Sequence, residues 1–255
     1  MIKNIFIVYE KGLEPLKPHL EDAINQMMDC FPQHKANYPI KTLGNWQNEN
    51  AKKRLPDGSV CLKPWESVEL YIGRAKVKAI QQNRWQTKKQ ISIDQLWEDL
   101  SSDPYCKKIP QWSILITKHD LYADGINFCL GVSKENAFSI VSTARFLDQN
   151  NHLDIEGFKT VVMHEFGHLI GLTHEGRTNT SQQLGSHCIN DGCIMQQRMD
   201  GDFHDITQAR LTNKRLYNLP PICSDCIKSG ENFFARQQAM YDYMRTHAAD
   251  EHISR

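Results

Sequence analysis

Residues 164–174 read His-Glu-Phe-Gly-His-Leu-Ile-Gly-Leu-Thr-His, an H-E-x-x-H-x-x-G-x-x-H pattern with His164, Glu165, His168, Gly171 and His174 at its fixed places. In a chain of ordinary composition this pattern arises by chance with a probability on the order of 10⁻⁴ or less. Phe158, Val161, Val162, Phe166, Leu169 and Ile170 recur at helical spacing, which predicts a helix over 155–171 with Asp154 as its N-cap and one side on a core. On that helix His164 and His168 are one turn apart and project from the same face. Gly171 is expected to take the left-handed conformation that ends a helix, so that the turn brings His174 round as a third ligand.

Three neutral imidazoles can hold a zinc ion and leave a fourth position for water, as catalytic zinc requires. Such an ion lowers the pKa of its water from about 16 toward 7. Glu165, beside the first ligand, is then the general base that takes the proton during attack on a carbonyl and hands it to the leaving amine. These residues point to a zinc-dependent peptidase. The alternative is a zinc-bearing peptide-binding or scaffold protein with little turnover, because the motif fixes ligands and not a substrate groove.

Composition narrows the setting. The 255 residues carry 30 Lys+Arg against 30 Asp+Glu, and a neutral chain without a basic patch is not built for nucleic acid or an anionic membrane. With 40% hydrophobic and 24% charged residues it reads as a folded protein of one domain or two small subdomains. Its apolar runs, such as 5–9 and 113–117, fall far short of the roughly 20 residues that span a bilayer. The first ten residues lack the apolar stretch of a signal peptide. The expectation is a cytoplasmic monomer whose partner is a peptide or protein substrate.

Eight cysteines are many for such a chain. Cys30, Cys61, Cys106 and Cys129 are scattered and read as reduced small hydrophobes. Cys188, Cys193, Cys223 and Cys226 form a C-x4-C and a C-x2-C pair. In a reducing compartment such pairs favour metal over disulfides or free thiols, and four thiolates close a tetrahedral structural zinc site. The count is therefore two zinc ions per chain, one catalytic and one structural. His187, next to Cys188, is a possible substitute ligand for the second.

The segment Cys188-Ile-Asn-Asp-Gly-Cys193-Ile-Met195, followed by Cys223 and Cys226, resembles the signature that archaemetzincins carry after their third histidine. Asp120–Tyr122, Gly125–Phe128 with Gly131, and Val141–Arg145 also resemble that family upstream of the catalytic helix. The likeness covers about 112–227. It implies an α+β, metzincin-like zincin fold: a twisted mixed sheet with backing and active-site helices over 1–171, and a smaller C-terminal subdomain over 172–255. It further implies that Met195 lies in a tight turn beneath the zinc ligands and that the four cysteines hold a second zinc. Both the 174–188 and the 195–223 stretches are longer than the family's. The first, rich in Thr, Ser, Gln and Gly, reads as a surface loop.

Elsewhere, 5–9 reads as a strand and 18–31 as a helix. The polar stretch 41–58 is a loop or an elaboration of the sheet, and 68–80 is ambiguous between strand and helix. A short helix over 92–100 is capped by Ser92. Strands are expected at 112–117, 128–132 and 138–143, one of the last two forming the edge above the cleft, where an extended peptide could add as a further strand. Helices are expected over 205–216 and 232–247.

Overall fold

The computed structural model describes residues 3–46, 64–103, 111–147, 152–174, 176–182, 185–197 and 204–253. In chain order the elements are β1 (Asn4–Tyr9), α1 (Lys17–Met28), α2 (Pro32–Lys35), β2 (Ile40–Asn45), α3 (Pro64–Gln81), α4 (Arg84–Lys88), β3 (Gln90–Ser92) and α5 (Ile93–Ser102). There follow β4 (Gln111–Thr117), β5 (Asp120–Ala123), β6 (Ile126–Cys129), β7 (Gly131–Lys134), β8 (Phe138–Ser142) and α6 (Ile155–Leu169). The last are β9 (Thr180–Ser181), β10 (His187–Cys188), α7 (His204–Thr212), which runs into a π-helical turn over Asn213–Tyr217, and α8 (Ser224–Ile253). Cys61, Cys106 and the 47–58 part of the expected loop lie outside the described residues. Among the described residues no helix is long and apolar enough to cross a membrane.

The main sheet has the order β2-β1-β4-β8-β7. Its first four strands run parallel, and β7 pairs antiparallel with β8 as an edge. The sheet is therefore mixed, and the strand flanking the cleft is β7. The 128–132 stretch is not one strand. It breaks at Leu130, so that β6 joins β5 in a separate three-stranded sheet while β7 joins β8. Of the two readings of 41–58, the elaboration of the sheet holds for its described start: β2 pairs in parallel with β1. The 68–80 ambiguity resolves as helix α3.

Strand alternation divides the apolar side chains between two layers. Ile5, Ile7, Trp112, Ile114 and Ile116 pack with α1 and α6, whereas Val8, Leu115 and Ile140 pack with α3 and α5. The two layers cover opposite faces of the sheet. Ser92 caps α5, accepting from the Gln95 N–H at 3.3 Å. α8 returns to the first layer, where Phe234 is fully buried with its ring 5.0 Å from Tyr38, 5.2 Å from Phe31 and 6.2 Å from Trp112. Residues on both sides of position 171 thus share one core. Phe234→Ala should cost about 3–5 kcal/mol, as truncation of a buried phenylalanine generally does. The check is a denaturant midpoint, and a loss below about 1 kcal/mol would show that α8 is dispensable to this core.

Candidate active site

α6 starts where the sequence predicts, with the Asp154 carboxylate accepting from the Gly157 N–H at 3.0 Å. It ends in paired reverse bonds: Gly171, at φ +65°, donates to the His168 carbonyl, and Leu172 donates to the Gly167 carbonyl, both at 3.0 Å. This is the glycine-dependent helix stop that the motif requires.

The structure groups His187 with His164 and His168, where the motif spacing expects His174. His164, His168 and His187 each bring a ring nitrogen within 4.8 Å of the others, and His174 is not part of that group. His174 lies on the wall of the same pocket. After the glycine turn, the Thr173 hydroxyl meets His168 Nδ1 at 3.0 Å. The chain then runs through β9 and returns in β10, with His187 opposite Ser181. His187 is buried, its ring stacked 5.2 Å from that of His164. Successive strand residues face opposite ways, so His187 serves the histidine group while Cys188 serves the cysteines. The sequence offers His187, through its place beside Cys188, to the cysteine group, and the structure puts its ring nitrogen with His164 and His168.

The rings are prepared as neutral ligands. His164 Nδ1 donates to the Ile194 carbonyl at 2.6 Å, which turns Nε2 toward His168, and His187 Nδ1 donates to the Gly185 carbonyl at 3.2 Å. Fixing the outer nitrogen in this way sets the tautomer that a metal needs. Burial depresses all three, taking His164 down to about 3. The Nε2 atoms of His164 and His168 are 3.1 Å apart. Nitrogens about 2.1 Å from a shared tetrahedral zinc lie roughly 3.4 Å apart, so the group fits such an ion.

Glu165 faces the same pocket, a cavity of about 350 Å³ bounded on one side by Gly131, Val132 and Ser133 of β7. The Ser133 hydroxyl donates to Glu165 Oε2 at 2.6 Å. Burial raises the carboxyl to about 7, and the Ser133 bond opposes the rise. Gly131 leaves room for this side chain, because a Cβ there would lie 2.7 Å from Glu165 Cγ. Beneath the histidines Met195 is fully buried, and a Cβ on Gly167 would collide with its sulfur.

The sulfurs of Cys188, Cys193, Cys223 and Cys226 form a second group, all within 4.8 Å of one another. Cys188 and Cys223 are 3.6 Å apart, as are Cys193 and Cys226. A disulfide needs about 2.05 Å, whereas four thiolates about 2.3 Å from one zinc lie roughly 3.8 Å apart. Donors converge on these sulfurs: the Cys223 N–H on Cys193 at 3.5 Å, the Asn190 N–H on Cys188 at 3.4 Å, and the Asn190 amide on Cys223 at 3.1 Å. Cys223 and Cys226 sit at the start of α8, where the helix end favours thiolate. Cys30 and Cys129 stand apart as half-buried thiols, with burial pushing Cys30 up to about 12.

A mixed sheet with an antiparallel edge strand, laid beside an H-E-x-x-H helix that turns at a glycine above a buried methionine, is the metzincin-like arrangement. The crystal structure of the archaemetzincin from Methanopyrus kandleri has a similar fold, with a TM-score of 0.51 at 16% identity over 91% of this chain and 96% of that one. The model of "Peptidase family M54" matches residues 48–220, more than half of the sequence, and the chain belongs to that family. It is 35% identical over 118 residues to the archaemetzincin of Thermococcus kodakarensis, covering 44% of this chain and 50% of that protein. With the archaemetzincin of Methanopyrus kandleri it shares 40% over 81 residues, 31% of this chain and 39% of that one. The chain thus spans half or less of the curated relatives it matches.

Proposed function

We propose that the chain is a zinc-dependent peptidase in which His164, His168 and His187 hold the catalytic ion and Glu165 is the general base. The carrying observation is the Glu165 carboxyl, buried beside three neutral imidazoles and open to the cavity along β7. A zinc ion in the histidine group would supply a polarised carbonyl and a water acidified toward neutrality.

The rest falls to the chain itself. An extended peptide adds along the outer edge of β7, backbone to backbone. Glu165, raised to about 7 by burial, takes the proton of the attacking water and returns it to the leaving amine. Ser133 holds the carboxylate in aim from below. His174, on the wall of the cavity, meets the substrate and not the ion. Cys188, Cys193, Cys223 and Cys226 hold a second, structural zinc, and such a centre suits a reducing compartment, so we assign the protein to the cytoplasm.

Metal analysis of the purified protein should give two zinc ions per chain, and the loaded protein should cleave unstructured peptides. A chelator should abolish cleavage, and added zinc should restore it. A fully loaded protein that binds peptides and cuts none would make it a scaffold.

A further inference from the structure

Arg177 lies against the cysteine group and has an unusual set of partners. Its Nη1 donates to the Leu172 carbonyl at 2.6 Å and to Cys226 Sγ at 3.1 Å, and its Nη2 points to Cys188 Sγ at 3.6 Å. Its Nε donates to the Asn179 side-chain oxygen. Asn179 in turn donates to Asp225 at 2.5 Å, and Asp225 also accepts from Asn190, the residue whose amide reaches Cys223. A half-buried guanidinium thus takes sulfurs where a carboxylate would be usual.

The charge explains the choice. Four thiolates around a dication carry a net charge of −2, and one guanidinium offsets half of it while donating directly to two of the sulfurs. Four neutral thiols offer that cation far less, so its docking is strongest when the cysteine group is loaded. The consequence reaches the other centre through the backbone. The Arg177 carbonyl accepts from the Thr180 hydroxyl at 2.8 Å, Thr180 pairs with Cys188, and Ser181 pairs with His187.

We propose that Arg177 is a positioning residue that couples the two centres: the loaded cysteine group holds its guanidinium, the guanidinium holds β9, and β9 holds His187 in reach of His164 and His168. Filling the cysteine site therefore raises the zinc affinity of the histidine site. The coupling rests on the reading that both groups bind metal.

The test is zinc affinity by chelator competition on the full chain, independent of any peptide cleavage. With the cysteine site loaded, Arg177→Gln should weaken zinc at the histidine site about 10-fold or more, the scale of a lost outer-shell contact, and Arg177→Lys should recover part of it. In a Cys223→Ser/Cys226→Ser background, Arg177→Gln should have no further effect. Should that background not fold, reciprocity supplies the same test: filling the histidine site must slow chelator stripping of the cysteine site in the wild type and not in Arg177→Gln. Equal histidine-site affinity in the wild type and Arg177→Gln, or an equal loss in both backgrounds, overturns the coupling while leaving the peptidase reading intact. Uptake of a single zinc overturns the two-centre reading and the coupling with it.

Discussion

Glu165→Gln should lower peptide hydrolysis by about 10²- to 10⁴-fold, the range associated with loss of a positioned general base, while zinc content stays at the wild-type level. The substitution keeps the size of the side chain and an oxygen that can accept from Ser133, which bonds the carboxylate at 2.6 Å. It removes only the ability to take and return a proton. The histidines keep their outer hydrogen bonds to the Ile194 and Gly185 carbonyls, which do not involve residue 165. The measurement is kcat/KM on a cleavable peptide beside metal analysis of the same sample. Full metal with undiminished turnover would remove Glu165 from the reaction.

The second large effect separates His187 from His174, the third ligand that the motif spacing predicts. His187→Ala should weaken zinc at the histidine site by more than about 100-fold, beyond the range of an outer-shell loss, and abolish turnover. His174→Ala should leave zinc bound and act on KM, since His174 lines the cavity outside the ligand group. Equilibrium dialysis against a zinc buffer distinguishes the two. The reverse pattern, with His174→Ala losing the metal, would restore the ligand set that the motif spacing predicts.

Where local chemistry decides, the sequence is readable. Asp154, the apolar stripe of α6 and Gly171 locate that helix almost to the residue, because cap, stripe and stop are contained in the segment itself. The two cysteine pairs are equally plain, since their ligands are close in sequence. What stays hidden depends on partners far along the chain. Lys41 and Thr42 lie in a strand only because β1 offers its edge. α8 starts at Ser224, eight residues before the start at 232 that the sequence suggests. Gly230 lies inside α8, where the Phe31 ring fills the space that a Cβ would need. The placement of His187 is hidden for the same kind of reason: a spacing rule follows the chain past Gly171 to His174, whereas a β-pair brings His187 to His164 and His168.

The packing of Phe234 against Tyr38, Phe31 and Trp112 has a consequence for the order of events during synthesis. Chains leave the ribosome from the N-terminus, so the segment bearing His164, Glu165 and His168 emerges well before the aromatic side chain that completes the core beneath it. His187 and all four cysteines also precede Phe234 in the chain. A site assembled in this order has its histidines, Glu165 and cysteines outside the tunnel before it has a finished interior. The core beneath the histidine group thus waits on a residue made after every side chain of that group.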